Sequence, residues 1–134
     1  MAEAAPPRLL TVTVGAPHPT RGASVVLFWH YVMAARRAGW HIRHLAIGTE
    51  SALAAEFARS VAAPGVFDVD CVEEAAPIAE GLRDIRIDVA RLAPALTRAR
   101  AFGADAILAF DLPAAWAVDG VDAPQRVVWA GDLM

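Results

Sequence analysis

The spacing of apolar positions changes along this chain, and each change marks an element. Residues 8–15, RLLTVTVG, form an apolar run suited to a strand, and Pro17, Pro19 and Gly22 then break any regular pattern. Residues 24–38 follow a helical period and are closed by Gly39; Val25, Phe28, Trp29, Val32 and Ala35 share the face expected to cover a sheet, while His30, Tyr31 and Arg37 fall elsewhere. Residues 41–47 alternate as a half-buried strand ending at Gly48. Thr49 or Ser51 then caps a helix that runs to about residue 62, where Pro64 and Gly65 stop it. A third strand spans residues 66–72. In residues 73–102, Leu82, Ile85, Val89, Leu92, Leu96 and Ala99 recur at steps of three and four, interrupted by Pro77 and Pro94, which predicts two helices with the second beginning at Pro94. Residues 104–110 form a fourth strand, 113–118 a short helix and 125–130 a fifth strand. Strands that alternate with helices in this way predict a three-layer α/β domain with a doubly wound parallel sheet, Rossmann-like, of order 3-2-1-4-5 with right-handed crossovers.

Length and composition narrow the class. At 134 residues and 57% hydrophobic content, residues 1–134 form one domain with enough apolar surface for a real core. The chain stops directly after a strand, with no helix to cover it, which reads as the N-terminal piece of a longer protein. No apolar run approaches the roughly 20 residues of a membrane span, and the first seven residues carry an acid and two prolines where a signal peptide would have basic and apolar stretches. A cytoplasmic location is therefore expected. Cys71 is the only cysteine; it sits in an apolar run and reads as a small core residue.

Twelve basic and fifteen acidic residues leave a net charge of −3, and no arginine cluster interleaves with aromatics, so nucleic acid is not the expected partner. Every basic side chain other than histidine is arginine, and the chain has no Lys or Asn and much Ala. That bias points to a coding sequence rich in G and C more than to selection of arginine for anion recognition. Arg83, Arg86, Arg91, Arg98 and Arg100 accompany an apolar stripe that would suit a membrane surface, but Glu80, Asp84 and Asp88 lie among them and favour a solvated helix face.

In a sheet of order 3-2-1-4-5, strands one and four are neighbours whose connections leave in opposite directions. The loops after Val14 and Phe110 therefore open onto one crevice, the usual place for a ligand in such sheets. His18, Arg21, Gly22 and Ser24 from the first loop would face Asp111 and Leu112 from the second: a cation, a glycine that admits close backbone approach, and a carboxylate, suited to a sugar or phosphate. Neither G-x-G-x-x-G nor a P-loop pattern is present, which argues against a dehydrogenase-type dinucleotide site. Asp111 is equally placed to cap the helix that follows it, and Ser24 reads as a cap more than a nucleophile. His41 and His44, three apart in a strand, point to opposite faces and cannot share a metal ion, so no metal site is expected.

The turn TVTVGAPHP at residues 11–19, the continuation Arg21-Gly22-Ala23-Ser24, the junction AARRAGWHI at residues 34–42 and the segment GADAILAFDLPA at residues 103–114 together resemble the N-terminal domain of GT-B glycosyltransferases, especially the retaining family with many bacterial sugar transferases. The resemblance covers nearly the whole chain. It implies an acceptor-side Rossmann-like domain facing a second, donor-binding domain that lies outside this chain, with a nucleotide sugar as donor and no cofactor bound by this chain alone. By position it implies that the turn near the donor diphosphate falls on Arg21, Gly22 and Ala23, and that a residue contacting the transferred sugar falls on Phe110. Ala23 stands where a second glycine is common, and Phe110 cannot donate a hydrogen bond to a hydroxyl.

The expected function is thus the acceptor-side domain of a nucleotide-sugar-dependent glycosyltransferase, inactive by itself. Its candidate substrate-binding residues are His18, Arg21, Gly22, Ala23, Phe110 and Asp111, with Asp111 the one catalytic candidate. The alternative is a non-catalytic α/β binding or regulatory module that keeps the fold; an unrelated flavodoxin-like or dehydrogenase domain is a third reading. The expected partners are the second Rossmann-like domain, a sugar or small-molecule acceptor, and a second copy paired through the C-terminal strand, where Val127, Val128 and Trp129 would lack cover.

Overall fold

A computed structural model describes residues 5–20, 23–49, 51–73 and 89–129. Its elements alternate as β1 (Arg8–Val14), α1 (Ala23–Arg37), β2 (His41–Thr49), α2 (Ser51–Val61), β3 (Phe67–Glu73), α3 (Val89–Phe102), β4 (Ala106–Phe110), α4 (Leu112–Ala117) and β5 (Gln125–Trp129). The five strands form one sheet in the order β3-β2-β1-β4-β5, and every neighbouring pair is parallel. This is the expected Rossmann-like order.

Side-chain alternation sorts the sheet into two apolar layers. On one face Leu9, Ile42, Phe67 and Phe110 pack beneath Phe28 and Val32 of α1 and Phe57 and Val61 of α2. On the other, Leu10, Val12, Leu45, Ile47, Ile107 and Ala109 pack beneath Leu92, Ala95, Ala99 and Phe102 of α3 and Ala114 and Ala117 of α4. The three inner strands are covered on both sides, which is why β1 reads as a nearly unbroken apolar run. The helices change face between α2 and α3, where the chain passes from β3 at one edge to β4 on the far side of β1. That crossover makes β1 and β4 neighbours.

The first helix ends as its sequence predicts. Gly39 adopts φ +95, and the amides of Gly39 and Trp40 reach back to the carbonyls of Arg36 and Ala35 at 3.0 and 3.2 Å, closing a Schellman motif before β2 starts. Ser24 is the second residue of α1 and not its cap. β2 runs past Gly48 to Thr49, with an irregular register between Ile47 and Thr49.

Two further expectations need correction. Pro94 lies inside α3, not in its first turn, so the second helix begins at least five residues earlier than the proline suggested. Leu92, Ala95, Ala99 and Phe102 carry one buried stripe through the proline while Pro94 itself faces solvent. That packing offsets the roughly 3 kcal/mol an interior proline costs a helix. The helix expected before it falls largely outside the described residues. Cys71 is exposed, not a core residue. It belongs to β3, an edge strand, and by alternation it shares a face with Phe67 and Val69; burial on that face fades from Phe67 through Val69 to Cys71.

The amino-terminal half of the α3 face is bound by charge instead of apolar contact. Asp70 accepts from Nη1 of Arg43 at 2.5 Å and from Nε of Arg98 at 2.7 Å, tying β2, β3 and α3 together. His41 meets Asp68 at 3.0 Å, and Arg8, His41 and Arg43 surround the ring of Phe102. Burial alone would raise the Asp68 pKa; hydrogen bonds from His41 and the Gly65 amide and the charge of Arg43 outweigh it, and the net shift is downward.

Candidate functional site

The carboxyl edge of the sheet is where β1 and β4 deliver their loops side by side; Val12 of β1 pairs with Ala109 of β4 in the ladder. The loop after β1 begins at Gly15, whose φ of +82 only glycine adopts without strain. Its amide donates to the Ile47 carbonyl at 2.8 Å and its own carbonyl accepts the Thr13 hydroxyl at 2.7 Å, so the loop is anchored to both β1 and β2 where it leaves the sheet. The His18 amide then bonds the Val25 carbonyl at 3.2 Å, folding the loop back on the start of α1.

This arrangement encloses a cavity of about 210 Å³ lined by Gly15, Ala16, His18, Val25, Gly48, Thr49 and Leu53. It opens between the β1 and β2 loops, so it lies on the β2 side of β1 and not on the β4 side where the crevice was expected. The walls are mostly aliphatic, with His18 and Thr49 as the polar side chains. His18 is well placed for recognition. Its Nδ1 accepts from the Thr20 amide at 3.1 Å, which leaves the ring proton of the neutral form on Nε2, 3.5 Å from Oε1 of Glu56 on α2.

The remaining candidates divide. Arg21 and Gly22 lie outside the described residues, and Ala23 is the first residue of α1. Phe110 is 1% exposed, with its ring 4.7 Å from Phe28, 5.9 Å from Tyr31 and 6.3 Å from Trp129. Its side chain therefore belongs to the apolar layer under α1.

Asp111 follows Phe110 and is the only residue other than glycine with positive φ among the described residues, at φ 79 and ψ 161. It occupies the N-cap position of α4 without a capping bond from its side chain, because capping needs an extended φ that Asp111 lacks. Two backbone bonds hold it there: its amide donates to the Trp129 carbonyl at 2.7 Å, and its carbonyl accepts from Ala115 at 3.1 Å. A strand-to-helix turn of this kind costs on the order of 1–3 kcal/mol, and such strain collects at functional sites.

His44 carried no functional weight in the sequence, yet its titration is strongly perturbed. It is wholly buried on β2, and burial pushes its pKa down to about 3, so it is neutral at physiological pH. Thr11 and Thr13 meet its two ring nitrogens at 2.7 and 2.9 Å. The cue in the sequence was the pair of threonines in an otherwise apolar strand. His41 and His44 do face opposite sides of the sheet, His41 against Phe102 and His44 against Phe57.

Among the described residues no three His, Cys, Asp or Glu side chains gather to hold a metal ion, and no helix is long and apolar enough to cross a membrane. Compared with known proteins, the chain matches no family model, no curated protein and no solved structure.

Proposed function

We propose that this chain is the acceptor-side domain of a nucleotide-sugar-dependent glycosyltransferase, working in the cytoplasm with a second, donor-binding domain. The observation that supports this most directly is the adjacency of β1 and β4 in the order β3-β2-β1-β4-β5, which brings the Gly15 to His18 loop and Asp111 to one sheet edge. In this reading His18 and the loop amides hold hydroxyl groups of the acceptor, and the Asp111 carboxylate faces the reacting hydroxyl. The donor comes from the opposite domain, since transfer requires both substrates to be oriented across one cleft.

Amide spectra of isotope-labelled protein, titrated with simple sugars and separately with nucleotide sugars, test the proposal. The expected result is movement of the Gly15, Ala16, His18 and Asp111 resonances with sugars at millimolar concentration, and no transfer by this chain alone. Turnover of a nucleotide sugar by the chain alone, or tight binding of a flavin or nicotinamide, would overturn it.

One observation favours a second reading, a binding or regulatory module without catalysis. At the position where the resemblance puts a sugar-contacting side chain, Phe110 is buried in an aromatic cluster. A ligand that binds at the same edge while transfer remains absent after a donor-binding domain is supplied favours the module.

A further inference from the structure

The hydrogen bonds around His44 have a direction that can be counted atom by atom. Thr11 lies opposite His44 in the β1–β2 ladder, and Thr13 is on the same face one step along β1. Thr13 has a single hydroxyl proton, and the Gly15 carbonyl takes it at 2.7 Å. Towards His44 Nε2, 2.9 Å away, the Thr13 oxygen can then only accept, so Nε2 carries hydrogen. The buried ring is neutral, so Nδ1 is bare and accepts the Thr11 hydroxyl proton at 2.7 Å. The result is a one-way chain from Thr11 through the imidazole to Thr13 and on to Gly15. Reversing it would leave the Gly15 carbonyl without the Thr13 proton.

The last bond matters because of where it lands. Gly15 has the φ of +82 at which β1 turns into the cavity wall, and a glycine peptide can rotate there at little steric cost. A trans peptide sets its C=O and the next N–H on opposite sides. With the Gly15 carbonyl drawn inward to Thr13, the Ala16 N–H is turned the other way, and Ala16 lines the cavity.

We propose that His44 is a positioning residue for the ligand loop. By donating from Nε2 it holds the Thr13 oxygen as an acceptor, commits the Thr13 proton to the Gly15 carbonyl, and so fixes the Gly15–Ala16 peptide with its N–H directed away from the core, towards a hydrogen-bond-accepting ligand. The role in ligand binding rests on the function proposed above; the peptide orientation does not.

Nitrogen-resolved spectra of the histidine rings at neutral pH test the first step, with Nε2 of His44 expected protonated and Nδ1 bare. The opposite tautomer overturns the proposal. Four variants test the rest, each checked for folding by circular dichroism. Thr11→Val and Thr13→Val each take one hydroxyl bond from the same ring, yet only Thr13→Val should shift the Gly15 and Ala16 amide resonances, because only Thr13 bonds the Gly15 carbonyl. His44→Gln reaches Thr13 with an amide donor and should keep the loop resonances near those of the parent, whereas His44→Asn reaches only Thr11 and should not. If the two threonine variants move the loop equally, or Gln and Asn behave alike, His44 is a core residue with no positioning role. If the resonances respond as expected but no sugar binds to any variant or to the parent, the inference stands and the proposed function fails.

Discussion

Asp70 of β3 accepts from Arg43 of β2 at 2.5 Å with both side chains largely buried, and this bond is what keeps a guanidinium tolerable inside the sheet. Among the described residues Arg43 Nε has no hydrogen-bond partner, and Asp70 is the carboxylate bonded directly to the guanidinium, with the Asp68 charge also acting on it. Removing one partner of a buried pair leaves the other's charge uncompensated, a loss of about 3–5 kcal/mol. Asp70→Ala should fall in that range in urea unfolding, and Arg98→Ala, whose side chain is half exposed, should cost far less. Equal losses would show that Arg98, not Arg43, makes the dominant contact.

His44 gives stability a specific dependence on pH. Its folded pKa of about 3 lies below the ordinary value of 6.5, so acid drives protons onto the unfolded chain first. The contribution is fully present above 6.5 and is lost as pH falls towards 3. At pH 4.5 the loss should be on the order of 2 to 3 kcal/mol relative to neutral pH. Asp68, with its pKa lowered from 3.8, adds to the loss only below that value. Denaturant midpoints at pH 7 and pH 4.5 for the parent and His44→Gln should show a steeper fall in the parent; parallel behaviour would mean that His44 titrates normally.

The backbone at Asp111 invites a paired substitution. Both Asp111→Gly and Asp111→Ala remove the carboxylate, so their difference reports the backbone alone. At φ 79 and ψ 161 glycine is at ease and alanine is not, and the glycine variant should be the more stable by about 1 kcal/mol in thermal or urea unfolding. Equal stability would mean that the turn relaxes in solution. If Asp111 faces the reacting hydroxyl, both variants lose sugar-induced shifts at that edge even though glycine is the better residue for the fold.

The two edges of the sheet differ in how they meet another copy. β3 carries Asp68, a partly exposed carboxylate that discourages pairing with another copy, while Asp70 is already neutralised by Arg43 and Arg98. β5 carries Val127 at 57% and Val128 at 44% exposure on opposite faces, and its one charged residue, Arg126, is turned back onto the Val118 and Val121 carbonyls. Among the described residues this edge carries none of the devices that prevent strand pairing, and the chain is expected to associate through β5 in an antiparallel, twofold manner. Light scattering across a range of concentrations should show a rising mass that Val127→Lys returns to that of a monomer. A constant monomer mass for the parent would refute this.

Element order and sheet order follow from the sequence alone, because periodicity, Gly39 and the proline punctuation are local, and a strictly alternating chain has few parallel arrangements open to it. The inward stripe of α1, from Phe28 to Val32, was legible for the same reason. What the tertiary structure decided is non-local. Whether Cys71 is buried depends on β3 being an edge. The left-handed turn at Asp111 depends on the Trp129 carbonyl, eighteen positions away in the chain. Pro94 survives in mid-helix because the sheet packs against the residues around it. His44 acquires direction only when the β1–β2 register sets Thr11 and Thr13 beside its two nitrogens. A sequence states which polar groups a strand carries, but which of them meet in the core is set by strand register and by the face each helix covers, and those come from packing the whole chain at once.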